Sequence, residues 1–210
     1  TVEAMLFGQA GFLEDDPRDD YHQNLMQEYR FKASKYKLDR QLSTHHWRFL
    51  RLRPANFPTL RIAQLAAVIT RNPSLFSLFV ESESAKHLTT ALNVTPTAYW
   101  HNHYHFSKES SGYHGNLGNS SIENILINSV SPLLFAYGMH RDDDLYKEKA
   151  LHLLTGLKVE SNHVITKWKS LGMDVKSAHD SQAFLELHDN YCLRKRCLHC
   201  AIGVEIINGK

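Results

Sequence analysis

"TLRIAQLAAVITR", residues 59–71, decides the fold class of this chain. Its apolar residues return at helical spacing, so that Leu60, Ala63, Leu65, Ala67 and Val68 lie toward one side. A helix with such a stripe buries it against other elements. The flanks repeat the signal. Upstream, a short helix is expected over Val2–Leu13, broken at Gly8 and Gly11. Asp16 as N-cap and Pro17 at the first position, with Asp19 and Asp20 near the dipole, open a second helix. On it Tyr21, Leu25, Tyr29 and Tyr36 share a face. Downstream, Asn72-Pro73 restarts a helix through "SLFSLFVES", and Ser120 to Glu123 reads as a capping box. That box opens a helix which Pro132 should kink or split. Three more helices are expected near 143–157, 161–171 (ending at Gly172) and 178–195.

One stretch departs from the helical period. In "TPTAYWHNHYHF", Trp100, Asn102, Tyr104 and Phe106 alternate with His101, His103 and His105, as in a half-buried strand. The glycine- and serine-rich "SKESSGYHGNLGNS" that follows reads as a loop or hairpin tip. The fold expected is mainly α: an irregular multi-helix domain spanning 1–210, with a short extended or hairpin segment near 96–106.

Composition narrows the function classes. The chain has 210 residues, 42% hydrophobic and 22% charged, close to the globular average. A formal charge of +2 is too small to imply wholesale affinity for nucleic acid or membrane, and 14 histidines make the surface charge sensitive near pH 6–7. No run approaches the roughly 18 apolar residues of a spanning helix, and no signal-peptide pattern opens the chain. Three closely spaced cysteines are not a secreted disulfide framework. Cytoplasmic is therefore the expected compartment. The opening "TVEAMLFGQAGFL" reads like the interior of a longer protein with a preceding N-terminal portion.

Four constellations carry chemistry. Arg48, Arg51, Arg53 and Arg61 surround Pro54, Asn56 and Pro58. If 51–53 is extended, Arg51 and Arg53 point the same way, beside a helix start near Pro58 whose N–H groups suit an anion. Guanidinium forks there fit phosphate or carboxylate. The plainer reading has these arginines tying the loop to Glu3, Glu14 or Glu28. His101, His103 and His105, with His114 beyond, could share a metal on one strand face, but exposed histidines beside buried Trp100 and Tyr104 are the favoured reading. The clusters "EDDPRDD" and "RDDD" stand at helix starts, where aspartate complements the dipole. No nuclease, zincin, hydrolase or phosphate-loop motif is present, so no catalytic residue is assigned.

The fourth constellation is "YCLRKRCLHCAIG", residues 191–203, which holds all three cysteines. C-x4-C-x2-C matches three of the four ligands of plant-type iron–sulfur proteins. A zinc site of Cys192, Cys197 and Cys200 would take His188 as its fourth ligand, one helical turn before Cys192. Zinc ranks ahead of iron–sulfur as the cofactor. Buried small apolar cysteines are the bland alternative. After loss of a metal, Cys192–Cys197 or Cys197–Cys200 would pair.

"RLRPANFPTLRIAQLA" (51–66), "AMLFGQAGFL" (4–13) and "YCLRKRCLHCAIG" resemble a bacterial family of unknown function, DUF2851, and the chain looks like its C-terminal half. The resemblance implies a preceding region with acidic and lysine elements reminiscent of a restriction-endonuclease-like core, and none of those residues stands here. Three function classes follow. One is a helical domain associated with DNA or RNA through the arginine loop, accessory to that missing region. Another is a non-catalytic structural or interaction domain. A free-standing small-molecule enzyme comes third, because no acid–base or nucleophile constellation supports it.

Overall fold

The computed structural model describes residues 1–111 and 115–209. The chain is mainly helical and forms two compact units, Thr1–Leu78 with Leu88–Ile122, and Phe79–His87 with Glu123–Lys210.

The first unit is built on α1 (Val2–Gln9), which packs against both α2 (Asp20–Tyr36) and α3 (Pro58–Arg71). Phe7 is fully buried, stacked on Trp100 at 5.4 Å and edge-on to Phe106 at 5.0 Å. Burying one such ring contributes roughly 2–3 kcal/mol. Gly8 lets α1 press against the Tyr29 ring; a Cβ there would lie 2.1 Å from it. α1 ends where Gly11 turns left-handed (φ +77°), with Phe12 N–H donating to the Phe7 carbonyl and Gly11 N–H to that of Gly8. This is a Schellman closure.

α2 begins three residues later than its proline suggested. Asp19, not Asp16, is the N-cap, its Oδ1 accepting from His22 N–H at 2.7 Å. Leu25 and Tyr29 face the core as expected, joined by His22 and Met26, whereas Tyr36 is exposed. On α3 the buried set is Thr59, Leu60, Ile62, Ala63, Gln64, Ala66 and Val68, while Leu65 is exposed. The stripe expected from apolar residues alone is rotated, because Gln64 is taken inside. Its Nε2 donates to the carbonyls of Gly115 (2.9 Å) and Asn116 (3.3 Å), which removes the cost of burying an amide.

α4 (Leu75–Glu81) follows Asn72-Pro73 as expected, and α5 (Ala85–Leu92) has no counterpart among the expected elements. The extended reading near 96–106 holds in part. Ala98–His101 is a 3-10 turn, so Trp100 does not belong to a strand. Among the described residues only His103–His105 (β1) and Lys108–Glu109 (β2) pair, antiparallel, around left-handed Ser107. Thr59 Oγ1 donates to the Tyr104 carbonyl and ties α3 to β1. His114 lies outside the described residues.

The second unit takes in the C-terminal helices. α6 (Asn119–Ile125) runs through a π turn at Leu126–Val130 into α7 (Ser131–Arg141). Pro132 lacks an N–H and its ring would clash with the carbonyl four residues back; the widened turn accommodates both, so the helix continues rather than breaking. The Ser121 and Ile122 N–H groups of α6 donate to the Gly118 carbonyl, which places Ser120 inside the first turn and not at the cap. α7 and α8 (Asp144–Thr155) form a hairpin closed by left-handed Asp142, with Ser131 Oγ donating to the Ala150 carbonyl at 3.1 Å. α9 (His163–Ser170) is capped by Asn162, and α10 (Ala178–Leu187) carries a Ser177–Asp180 capping box. α10 then widens into a π turn at His188–Cys192, and α11 (Ala201–Ile207) ends the unit.

Candidate functional site

The arginine loop is a pinned loop. Trp47 donates from Nε1 to the Ala10 carbonyl at 2.7 Å and packs on Phe12 at 5.6 Å. Phe49 contacts Phe12, Phe57 and His105. Between these inward aromatics, Arg48, Arg51 and Arg53 are exposed. Among the described residues, none of the three makes a side-chain hydrogen bond or ion pair. Two of the carboxylates expected to hold them are engaged elsewhere: Glu3 with Trp100, Tyr21 and Thr97, Glu28 with Thr1.

Three details differ from the sequence reading. Residues 51–53 are not extended, since Leu52 N–H donates to Phe49 and Arg51 is left-handed (φ 64°). Arg51 and Arg53 therefore do not share a strand face. Arg61 is committed to the fold, donating to Gln64 Oε1 at 2.8 Å, Asn56 Oδ1 at 2.6 Å and Ser121 Oγ at 3.3 Å. Asn56 is thereby a brace for Arg61. The start of α3 is closed as well: Pro58 has no N–H, and Thr59 and Leu60 are both 0% exposed. Of the residues expected to meet an anion, Arg48, Arg51 and Arg53 stay available.

Behind the loop sits a polar cluster that the sequence did not announce. Glu3 Oε1 accepts from Trp100 Nε1 (2.6 Å) and Tyr21 hydroxyl (2.8 Å). Burial, with Glu3 beside it, pushes the Tyr21 hydroxyl pKa well up. Tyr21 stacks on Tyr99 at 4.1 Å, and Tyr99 stacks on His103 at 3.9 Å. Tyr99 donates to Asp19 Oδ2 at 2.5 Å, and Ser107 N–H reaches the same oxygen at 2.8 Å. Partial burial opposes ionisation of Asp19, but the Tyr99 hydroxyl and the His22 and Ser107 N–H groups outweigh it and hold its pKa below the usual value. His22 is fully buried; its Nε2 faces the Phe12 carbonyl (2.8 Å) and its Nδ1 the Arg18 N–H (3.3 Å). Since a carbonyl only accepts and an N–H only donates, the ring is fixed as the Nε2–H tautomer. His103 donates from Nδ1 to the Tyr99 carbonyl at 2.7 Å. These groups fasten α1, α2 and the hairpin together.

Among the described residues, His101, His103 and His105 do not form a metal face. His101 lies in the 3-10 turn, His103 is buried against Tyr99, and His105 sits half-buried near Phe49. Burial lowers the His105 pKa, assisted by the charge of Arg18.

At the C-terminal end the three thiols are free, with Cys192 and Cys197 exposed and Cys200 buried. Lys195, left-handed at φ 52°, closes the helix after the π turn: Arg196 N–H donates to Tyr191 and Lys195 N–H to Cys192. Cys197–His199 is a 3-10 turn. His188 Nδ1 pairs with Asp189 at 2.7 Å. Among the described residues no group of three or more His, Cys, Asp or Glu is arranged to hold a metal ion. The expected convergence of Cys192, Cys197, Cys200 and His188 is not present in this arrangement.

The molecule is thus a mainly α protein of two compact units, with an arginine-bearing loop pinned by aromatics. The family described as "Protein of unknown function (DUF2851)" matches residues 1–163, and the chain belongs to it. The cysteine segment lies beyond that match. No curated protein and no solved structure matches the chain. Among the described residues no helix is long and apolar enough to cross a membrane.

Proposed function

We propose that the chain is a nucleic-acid-associated binding domain, accessory to catalytic machinery outside it, in which Arg48, Arg51 and Arg53 contact the phosphate backbone. The observation that carries this reading is the pinned loop: three exposed guanidinium groups, free of partners among the described residues, on a backbone held by Trp47 and Phe49. Guanidinium forks are weakly hydrated and match phosphate oxygens in pairs. A loop already ordered loses less entropy on binding than a floppy one. Contacts of this kind fix position and supply affinity without reading sequence. Arg61 and Asn56 act indirectly, by bracing the start of α3 beneath the loop.

Fluorescence anisotropy with a labelled duplex and a labelled single strand at low salt tests the proposal. Wild type binds, and Arg51→Ala with Arg53→Ala binds at least tenfold more weakly with an unchanged denaturation midpoint. Absence of binding by wild type, or variants that lose only stability, would refute it. In that case the non-catalytic interaction-domain reading stands.

A further inference from the structure

The strongest unassigned chemistry lies in the turn Cys197-Leu198-His199-Cys200, outside the region matched by the family. Cys200 N–H donates to the Cys197 carbonyl at 3.3 Å, and His199 N–H to that of Arg196 at 3.0 Å. In a 3-10 turn, residues three apart eclipse one another with their Cα atoms about 6 Å apart. Disulfides form across Cα separations of roughly 4.4–6.8 Å. The turn geometry therefore places the Cα atoms of this pair in the range that disulfides span. The turn is also braced: a Cβ at Gly203 would lie 2.4 Å from the Cys197 carbonyl oxygen, so the first turn of α11 presses directly on it. Cys192 belongs to the preceding helical end, separated from the pair by the left-handed closure at Lys195.

We infer that Cys197 and Cys200 form a reversible dithiol–disulfide site, with exposed Cys197 as the attacking thiol and buried Cys200 as the resolving one. The oxidant is a low-molecular-weight disulfide bearing carboxylates. A groove of about 510 Å³ lined by Glu186, Asn190, Tyr191, Arg196 and His199 reaches the residue next to Cys197. Asn190 Nδ2 occupies the Glu186 carboxylate at 2.6 Å. Arg196 and His199, without partners among the described residues, are left to meet the carboxylates of the oxidant.

The exchange balances in two steps. The Cys197 thiolate attacks one sulfur of the small disulfide, breaking its S–S bond and releasing one thiolate, which takes a proton. Cys200 then gives up its proton and attacks Cys197 Sγ, forming the intramolecular bond and releasing the second small thiol. Two electrons pass from the protein to the oxidant, and a dithiol reverses the sequence.

Full-length reduced protein is incubated with oxidised glutathione, alkylated, and mapped by peptide mass. The expected product lacks two hydrogens, carries a Cys197–Cys200 link and leaves Cys192 alkylated; dithiothreitol restores all three thiols. Cys200→Ser traps glutathione on Cys197, and Cys197→Ser takes up none at Cys200. The wild-type map does not depend on how these variants fold. A link that includes Cys192, three cysteines that stay alkylated, or one equivalent of zinc in the freshly isolated reduced protein would overturn the inference, the last because ligated thiolates would not exchange.

Discussion

Gly8→Ala probes the packing on which the first unit rests. The new Cβ would lie 2.1 Å from Tyr29 Cδ2, where ordinary contact begins at 3.4 Å, so the two groups are short by about 1.3 Å. The ring has little room to retreat. Tyr29 is 5% exposed, and its hydroxyl accepts from Gln9 Nε2 at 2.8 Å, one residue along the same helix. α1 and α2 must therefore separate, and with α1 moves Phe7 at the centre of the aromatic cluster. Overpacking of this kind costs roughly 1–3 kcal/mol. Alanine returns about 0.5–1 kcal/mol through its better helix propensity. The expected net loss is about 1 kcal/mol. Urea denaturation followed by tryptophan fluorescence reads it as a lower midpoint, since Trp100 lies in that cluster. In a Tyr29→Ala background the clash is absent, and Gly8→Ala should then be neutral or mildly stabilising. A higher midpoint for Gly8→Ala alone would refute the close approach of α1 to Tyr29.

Two further outcomes follow from the polar cluster. Glu3→Ala leaves Trp100 Nε1, in a side chain 0% exposed, without its acceptor and should cost about 3 kcal/mol by denaturant titration, while Glu3→Gln keeps an acceptor oxygen and should cost less than half of that. Asp19 has a folded pKa below its unfolded value, so its contribution is present above about pH 4 and disappears as pH falls through the lower folded value. The gap between wild type and Asp19→Asn should therefore be widest at neutral pH and close toward pH 3; a constant gap would show that the carboxylate charge is irrelevant.

Much of the fold is legible in the sequence because its signals are local. The apolar spacing of α3, the proline at its first position and the glycine that follows α9 each act within a turn of chain. What escaped depends on distant partners. Gln64 is inside because carbonyls some fifty residues away accept from it, and no hydropathy pattern marks that. Asp19 displaced Asp16 as the cap since its carboxylate also meets Tyr99 and Ser107. Helix ends show the same limit. Gly11 and Gly172 advertise left-handed closures, whereas Lys37, Asp142 and Lys195 adopt them without the residue that usually signals one. The candidate site was half legible. Arginines around prolines point to an exposed basic loop, but their spacing could not show that Arg61 is spent on Asn56, Gln64 and Ser121. Cysteine spacing alone suits metal or disulfide equally. The 3-10 turn singles out Cys197 and Cys200 and leaves Cys192 apart.

The central claim, that the pinned arginines bind nucleic-acid phosphates, is tested most directly by the salt dependence of binding. The logarithm of the binding constant for duplex DNA is measured against the logarithm of salt concentration, from 50 to 200 mM, for wild type and for Arg48→Ala/Arg51→Ala/Arg53→Ala. Each neutralised phosphate adds about 0.9 to the slope, so losing three contacts should flatten it by up to about 2.7. Equal slopes for the two proteins would contradict the account.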